Sequence, residues 1–133
     1  MAIKVTSEVL EALREAAKRA DPCEACGLLL GEAVQITRFV EASNVHASPE
    51  THFEIDPQAL IDAHRAARMG GPKLLGYFHS HPKGPAKPSQ TDQDMASGDE
   101  MIWAIAGESE IAFWHDLPEG FRPLSYAMVD GQN

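Results

Sequence analysis

Apolar and polar residues repeat at helical spacing near the start of the chain. Val9, Leu10, Leu13, Ala16 and Ala17 fall on one face, with Glu8, Glu11, Arg14, Glu15 and Lys18 on the other. This predicts a core-packing helix from a Thr6 or Ser7 cap to about Ala20, ended by Asp21-Pro22. Before it, Ile3 to Val5 reads as a short strand. After it, Leu28 to Leu30 lies between glycines as a short buried strand, and Val34 to Val40 alternates like another. Glu41 to Pro49 is polar loop, and His52 to Ile55 reads as a strand. Asp56-Pro57 opens a second helix, carried to about Met69 and closed by Gly70-Gly71-Pro72. The apolar run Leu74 to Phe78 is a buried strand stopped by Pro82, and Pro82 to Pro88 forms a stiff loop. Ser89 then caps a helix running to about Ser97, which Gly98 ends. Met101 to Ala106, Glu110 to His115 and Leu124 to Val129 read as three further strands. The pattern is α+β: a curved, mostly antiparallel sheet with helices packed on it. Trp103 and Trp114 are expected as core aromatics, His115 and Asp116 as turn polar groups, and Gly131-Gln132-Asn133 as a frayed tail.

Composition narrows the classes. At 133 residues, the chain is expected to be a single domain, 1–133, able to bury a real core. Its 44% apolar and 23% charged residues are ordinary for a globular protein and argue against disorder. A net charge of −9 disfavours nucleic acid, because phosphate binding needs clustered Lys and Arg. No apolar run has the length of a membrane span, and Met1 to Val5 lacks the features of a secretory leader, so a cytoplasmic location is expected.

Chemistry concentrates in Gly76-Tyr77-Phe78-His79-Ser80-His81-Pro82 and Pro88-Ser89-Gln90-Thr91-Asp92. Side chains alternate along a strand, so His79 and His81 point to one side. Asp92 is brought back by a turn, at the opening of a helix. Two imidazoles and a carboxylate make a three-ligand set suited to catalytic zinc, which leaves its fourth position to water. His-x-His alone also occurs by chance, and Ser89-x-x-Asp92 is close to a capping box, which would itself hold a ligand rigidly. His46, His52 and His64 read as surface or boundary residues.

A second stretch, Pro22-Cys23-Glu24-Ala25-Cys26-Gly27, admits competing readings. Cys23-x-x-Cys26 could bind metal, but a zinc ribbon needs a second such pair, and the chain has no other cysteine. Pro-Cys-x-x-Cys is also half of the zinc nucleobase deaminase signature, and His52-Phe53-Glu54 supplies the other half in inverted order. Alternatively the cysteines are reduced packing residues and Glu24 is the residue that matters.

Taken together, Pro-x-Glu-x-Cys-Gly-Leu-Leu-Leu-Gly and Gly-Tyr-x-His-Ser-His-Pro-x6-Pro-Ser-x2-Asp resemble the JAMM (MPN-plus) metalloprotease family. Asn44 and Phe53-x-Ile55-Asp56-Pro57 are weaker points of likeness. The resemblance implies the JAMM/MPN (deaminase-like) architecture of a minimal prokaryotic-type member. It implies one zinc held by His79, His81 and Asp92, with Glu24 as general base and Ser89 stabilising the oxyanion. The implied substrate is a ubiquitin-like or sulfur-carrier protein, cleaved after a C-terminal Gly-Gly at a peptide or isopeptide bond. A deaminase using the cysteines and a non-catalytic interaction module stand as alternatives.

Overall fold

In the computed structural model, which describes residues 2–130, strand β2 (Cys26–Glu32) lies at the middle of the sheet and is buried nearly end to end. Its apolar run has a simple cause: both faces carry a helix. Leu29 packs with α1 (Ser7–Ala20) residues Val9, Leu10 and Leu13, together with Ile3, Val5, Ile36, Phe78 and Phe113. Leu28 and Leu30 face the other way, onto Ala63 and Leu60 of α2 (Pro57–Arg68). Both helices start as expected: Thr6 accepts a hydrogen bond from the Val9 N–H, and Asp56 caps α2 with Pro57 at its first turn.

The remaining strands are β1 (Ala2–Thr6), β3 (Gln35–Ala42), β4 (Lys73–Ser80), β5 (Ile102–Ala106), β6 (Ile111–Leu117) and β7 (Gly120–Val129). Their order is β1-β3-β2-β4-β5-β6-β7, and β7 pairs back onto β1, so the curved sheet closes into a barrel. Pairing is antiparallel at β2/β3, β2/β4, β5/β6 and β6/β7, and parallel at β1/β3, β1/β7 and β4/β5. The α+β expectation holds, and closure is the addition.

Several boundaries move. The strand predicted over Leu74 to Phe78 continues through His79 and Ser80, because β2 and β5 pair with it on both sides. β7 begins at Gly120 and runs through Pro123, where β6 is its neighbour and pairing to β1 has not yet begun. His52 to Ile55 forms no strand, only the bridge Asn44↔Ile55. His115 and Asp116 lie within β6 and not in a turn; Asp116 is buried and accepts the Gly98 N–H. The third helix, α3 (Gln90–Met95), stops short of Ser97. Trp103 is buried as expected, whereas Trp114 is half-buried. The Gly131-Gln132-Asn133 tail lies outside the described residues. No helix among those described is long and apolar enough to cross a membrane.

Candidate metal centre

The β2/β4 register assembles this end of the sheet. Cys26 pairs with His79, and Ala25 and Ser80 continue the match through Ser80 N–H to Ala25 O (3.1 Å) and Ala25 N–H to Ser80 Oγ (2.8 Å). One more step in the same register sets Glu24 opposite His81. Directly paired residues share a face of the sheet, so Glu24 comes to the side on which His79 and His81 point. The His81 N–H donates to Ala106 O at 2.7 Å, so its backbone is fixed although β4 has ended.

Asp92 arrives from α3. Ser89 is the N-cap: its Oγ accepts the Asp92 N–H at 3.0 Å, and its own N–H donates to Asp92 Oδ2 at 2.9 Å. The capping box expected from the sequence therefore exists, and it aims the carboxylate. The intervening loop is held at Pro85 and Ala86. Pro85 O accepts from His81 Nδ1 (2.9 Å), and Ala86 O accepts from Trp114 Nε1 (3.0 Å). Gly107 permits this packing, since a Cβ there would stand 2.5 Å from Ala86 N.

Three donor atoms converge. His79 Nε2 and His81 Nε2 are 3.0 Å apart, and each lies 3.1 Å from Asp92 Oδ2. A proton on one nitrogen can bridge one of these contacts, whereas a cation among them satisfies all three lone pairs. Ligand atoms about 2.0–2.1 Å from a tetrahedral zinc stand roughly 3.3 Å apart, close to the spacing found. The bond from Nδ1 to Pro85 O means that in the neutral imidazole Nε2 of His81 carries the lone pair, while in the metal-free protein a proton there donates to Asp92. His79 is fully buried, its ring stacked on Phe53 at 4.3 Å and edge-on to Trp103 at 5.6 Å. Its Nδ1 has no partner among the described residues. The donor set fits zinc.

Electrostatics divides the groups. Burial lowers the His79 pKa, favouring the neutral, ligating form. Burial opposes ionisation of Asp92, but the bonds from His79, His81 and the Ser89 amide outweigh it and hold the carboxyl well below the usual range. Burial likewise opposes protonation of His81, yet its bonds to Asp92 and Pro85 and the charges of Asp92 and Glu24 leave its pKa raised. Glu24 is 7% exposed, and burial pushes its carboxyl up to about 7, with His81 pulling down and Asp92 adding to the rise.

The cysteine reading finds no such convergence. Among the described residues, the one group of three or more potential ligands is His79, His81 and Asp92. Burial drives the Cys26 thiol up to about 12, away from the thiolate that metal binding needs, and its Sγ lies 3.6 Å from Ala42 O. His52 stacks on His46 at 4.6 Å, a half-buried pair rather than a ligand. His64 is exposed.

A family model described as prokaryotic homologs of the JAB domain matches residues 6–116, a span that takes in both motifs. The chain belongs to this family. A JAB-domain relative, a desampylase of Haloferax volcanii, is 31% identical over 131 residues, covering 96% of this chain and 94% of that protein. A probable TtuB-protein conjugate cleaving protease of Thermus thermophilus is 40% identical over 92 residues, 69% of this chain and 62% of that protein. A solution structure of a Desulfitobacterium hafniense protein superposes with a TM-score of 0.85 at 29% identity, covering 96% of this chain and 93% of that one. The resemblance of the two motifs to a minimal prokaryotic-type member of the JAMM (MPN-plus) family is thus borne out for the chain. Sequence reasoning missed the clamp made by Asn44, the Phe53 stack on His79 and the Pro85 carbonyl behind His81. The first two had one faint signal, the weaker family likeness at Asn44 and Phe53-x-Ile55.

Proposed function

We propose that this JAB domain is a zinc-dependent peptidase or isopeptidase. Its substrate on this reading is a ubiquitin-like or sulfur-carrier protein joined through its C-terminal Gly-Gly to an amine. The observation that carries the reading is the convergence of His79 Nε2, His81 Nε2 and Asp92 Oδ2 beside a buried carboxyl poised near neutrality. The Haloferax desampylase and the Thermus conjugate-cleaving protease support the substrate class.

His79, His81 and Asp92 would hold the ion, which when bound supplies Lewis acidity toward a carbonyl and a water. Glu24 takes a proton from the attacking water as its oxygen bonds to the carbonyl carbon. It returns that proton to the nitrogen as the carbon–nitrogen bond breaks, leaving an amine and a carboxylic acid, whose remaining proton then passes to the amine or to solvent. Ser89 Oγ accepts from the Asp92 amide, which leaves its O–H free to donate to the carbonyl oxygen as charge builds there. A tail ending in glycines suits a narrow approach, since only glycine lets backbone pass so close. We read residues 1–133 as one catalytic domain with no nucleic-acid partner, the latter supported by the net charge of −9. We assign it to the cytoplasm, with the free thiols of Cys23 and Cys26 in support.

Zinc content tests the site before any substrate is known. About one ion per chain is expected for wild type and for the Cys23→Ser/Cys26→Ser double variant, and none for His79→Ala. Zinc that followed the cysteines would overturn the assignment. Cleavage of a Gly-Gly carrier joined to an amine is the companion assay, and a zinc-loaded protein inert toward it would sink the substrate class.

A further inference from the structure

Asn44 sits between β3 and α2, outside the group of converging ligand atoms, yet its side chain is the most connected in this part of the molecule. Its Nδ2 donates toward three carbonyls, those of His52 (2.9 Å), Glu24 (3.1 Å) and Pro49 (3.4 Å). Its Oδ1 accepts from the amides of His46 and Glu54, both at 3.1 Å. Backbone bonds flank it, from Val45 N–H to Glu54 O (2.9 Å) and from Asp56 N–H to Ser43 O (3.1 Å). One amide thereby closes residues 44–54 on themselves and fastens them to Glu24.

That fastening matters because Glu24 precedes β2, which begins at Cys26. The backbone of Glu24 is held by this loop instead: its N–H donates to Pro49 O at 2.7 Å, and its carbonyl accepts from Asn44. The same loop carries Phe53, whose ring lies on His79 at 4.3 Å with an interplanar angle of 13°. Asn44 thus stands behind a catalytic carboxyl on one side and an imidazole on the other. Asparagine suits the role because its planar amide presents donors and an acceptor together. Aspartate would set a charged oxygen against three carbonyl oxygens.

We infer that Asn44 is a positioning residue for the hydrolysis, fixing the backbone of Glu24 without touching the reacting atoms. This rests on the hydrolase reading above. A displaced base costs on the order of a hundredfold in rate, so Asn44→Ala should lower kcat by about that factor and leave KM within about twofold. Zinc content should stay at the wild-type level. Placing Asn44→Ala in a Glu24→Gln background should cost nothing further, because the group being positioned is already gone. Independently of activity, hydrogen exchange should quicken at the amides of Glu24, His46 and Glu54 in Asn44→Ala. If Asn44→Ala does not fold, Asn44→Ser, which keeps one donor, carries the same measurements with a smaller expected loss.

The inference is overturned if kcat per folded molecule is unchanged, if the loss tracks the unfolded fraction, or if exchange at Glu24 is unaltered. Wild-type protein that binds zinc but cleaves nothing overturns the hydrolase reading instead.

Discussion

Asp92, at the opening of α3, and Glu24, just ahead of β2, are buried carboxyls within electrostatic reach of His81, and their surroundings drive them apart. Asp92 is met by donors from His79, His81 and the Ser89 amide, and stays ionised far into acid. Glu24 is dominated by burial, and its proton leaves at about 7. On the function proposed above, the same functional group serves as a permanent electron-pair donor in one place and as a proton carrier in the other. What separates them is how many donors the fold supplies. The means of support also differ. Asp92 is aimed by a capping box within its own turn, whereas Glu24 depends on a loop closed by Asn44.

Substitutions can break this division of roles. The largest effect is expected from Asp92→Asn, which removes an anionic ligand and a partner of both imidazoles. Zinc should be lost and turnover fall to background, as read by metal analysis and a cleavage assay. Glu24→Gln should do the opposite to the metal, leaving zinc in place while kcat drops by roughly 10²–10⁴. Ser89→Ala should reduce kcat by about 10²-fold and stability by about 1 kcal/mol through the lost cap. Normal turnover by a zinc-loaded Ser89→Ala protein would remove Ser89 from the chemistry.

A last measurement sharpens the comparison without any reaction. In metal-free protein Glu24 has a folded-state pKa raised from 4.5 to about 7, so between those values the native state binds more protons than the unfolded chain. Stability contributed by this group therefore falls as pH rises through that window. The difference between wild type and Glu24→Gln, from urea unfolding in chelator at pH 5 and pH 8, should change by at most roughly 3 kcal/mol. Parallel curves would mean that Glu24 is not buried as an acid.

How much was legible follows from the range of the forces involved. The α1 helix was readable to within one residue of its Thr6 cap because its stripe of Val9, Leu10, Leu13 and Ala16 is a local repeat. The His79, His81 and Asp92 set was readable for the same reason, since one strand's alternation and one capping box produce most of it. Glu24 carried no local signal; it stood as one of two competing readings of its stretch, and its role as base came from family likeness. Its physical cause is a register between strands some fifty residues apart in sequence, as the bond from Ala25 to Ser80 shows. Asn44 looked like one polar residue in a polar loop, because its partners lie as far off as Glu24. Barrel closure was hidden for the same reason: β1 meets β7 across nearly the whole chain, with Ile3 opposite Tyr126. His115 and Asp116 resemble a turn because polar pairs usually lie exposed, whereas Asp116 is buried against the Gly98 amide.

The pairing of Cys26 with His79 has a use at the bench. A slip of one residue between β2 and β4 would turn Glu24 away from the imidazoles, since alternate side chains face opposite sides. Alignment of β2 therefore decides whether the base faces the ligands, whereas the ligands themselves come from β4 and α3. During refolding, uptake of a coloured divalent ion such as cobalt would time the seating of α3 against β4, and the later return of turnover would time the alignment of β2.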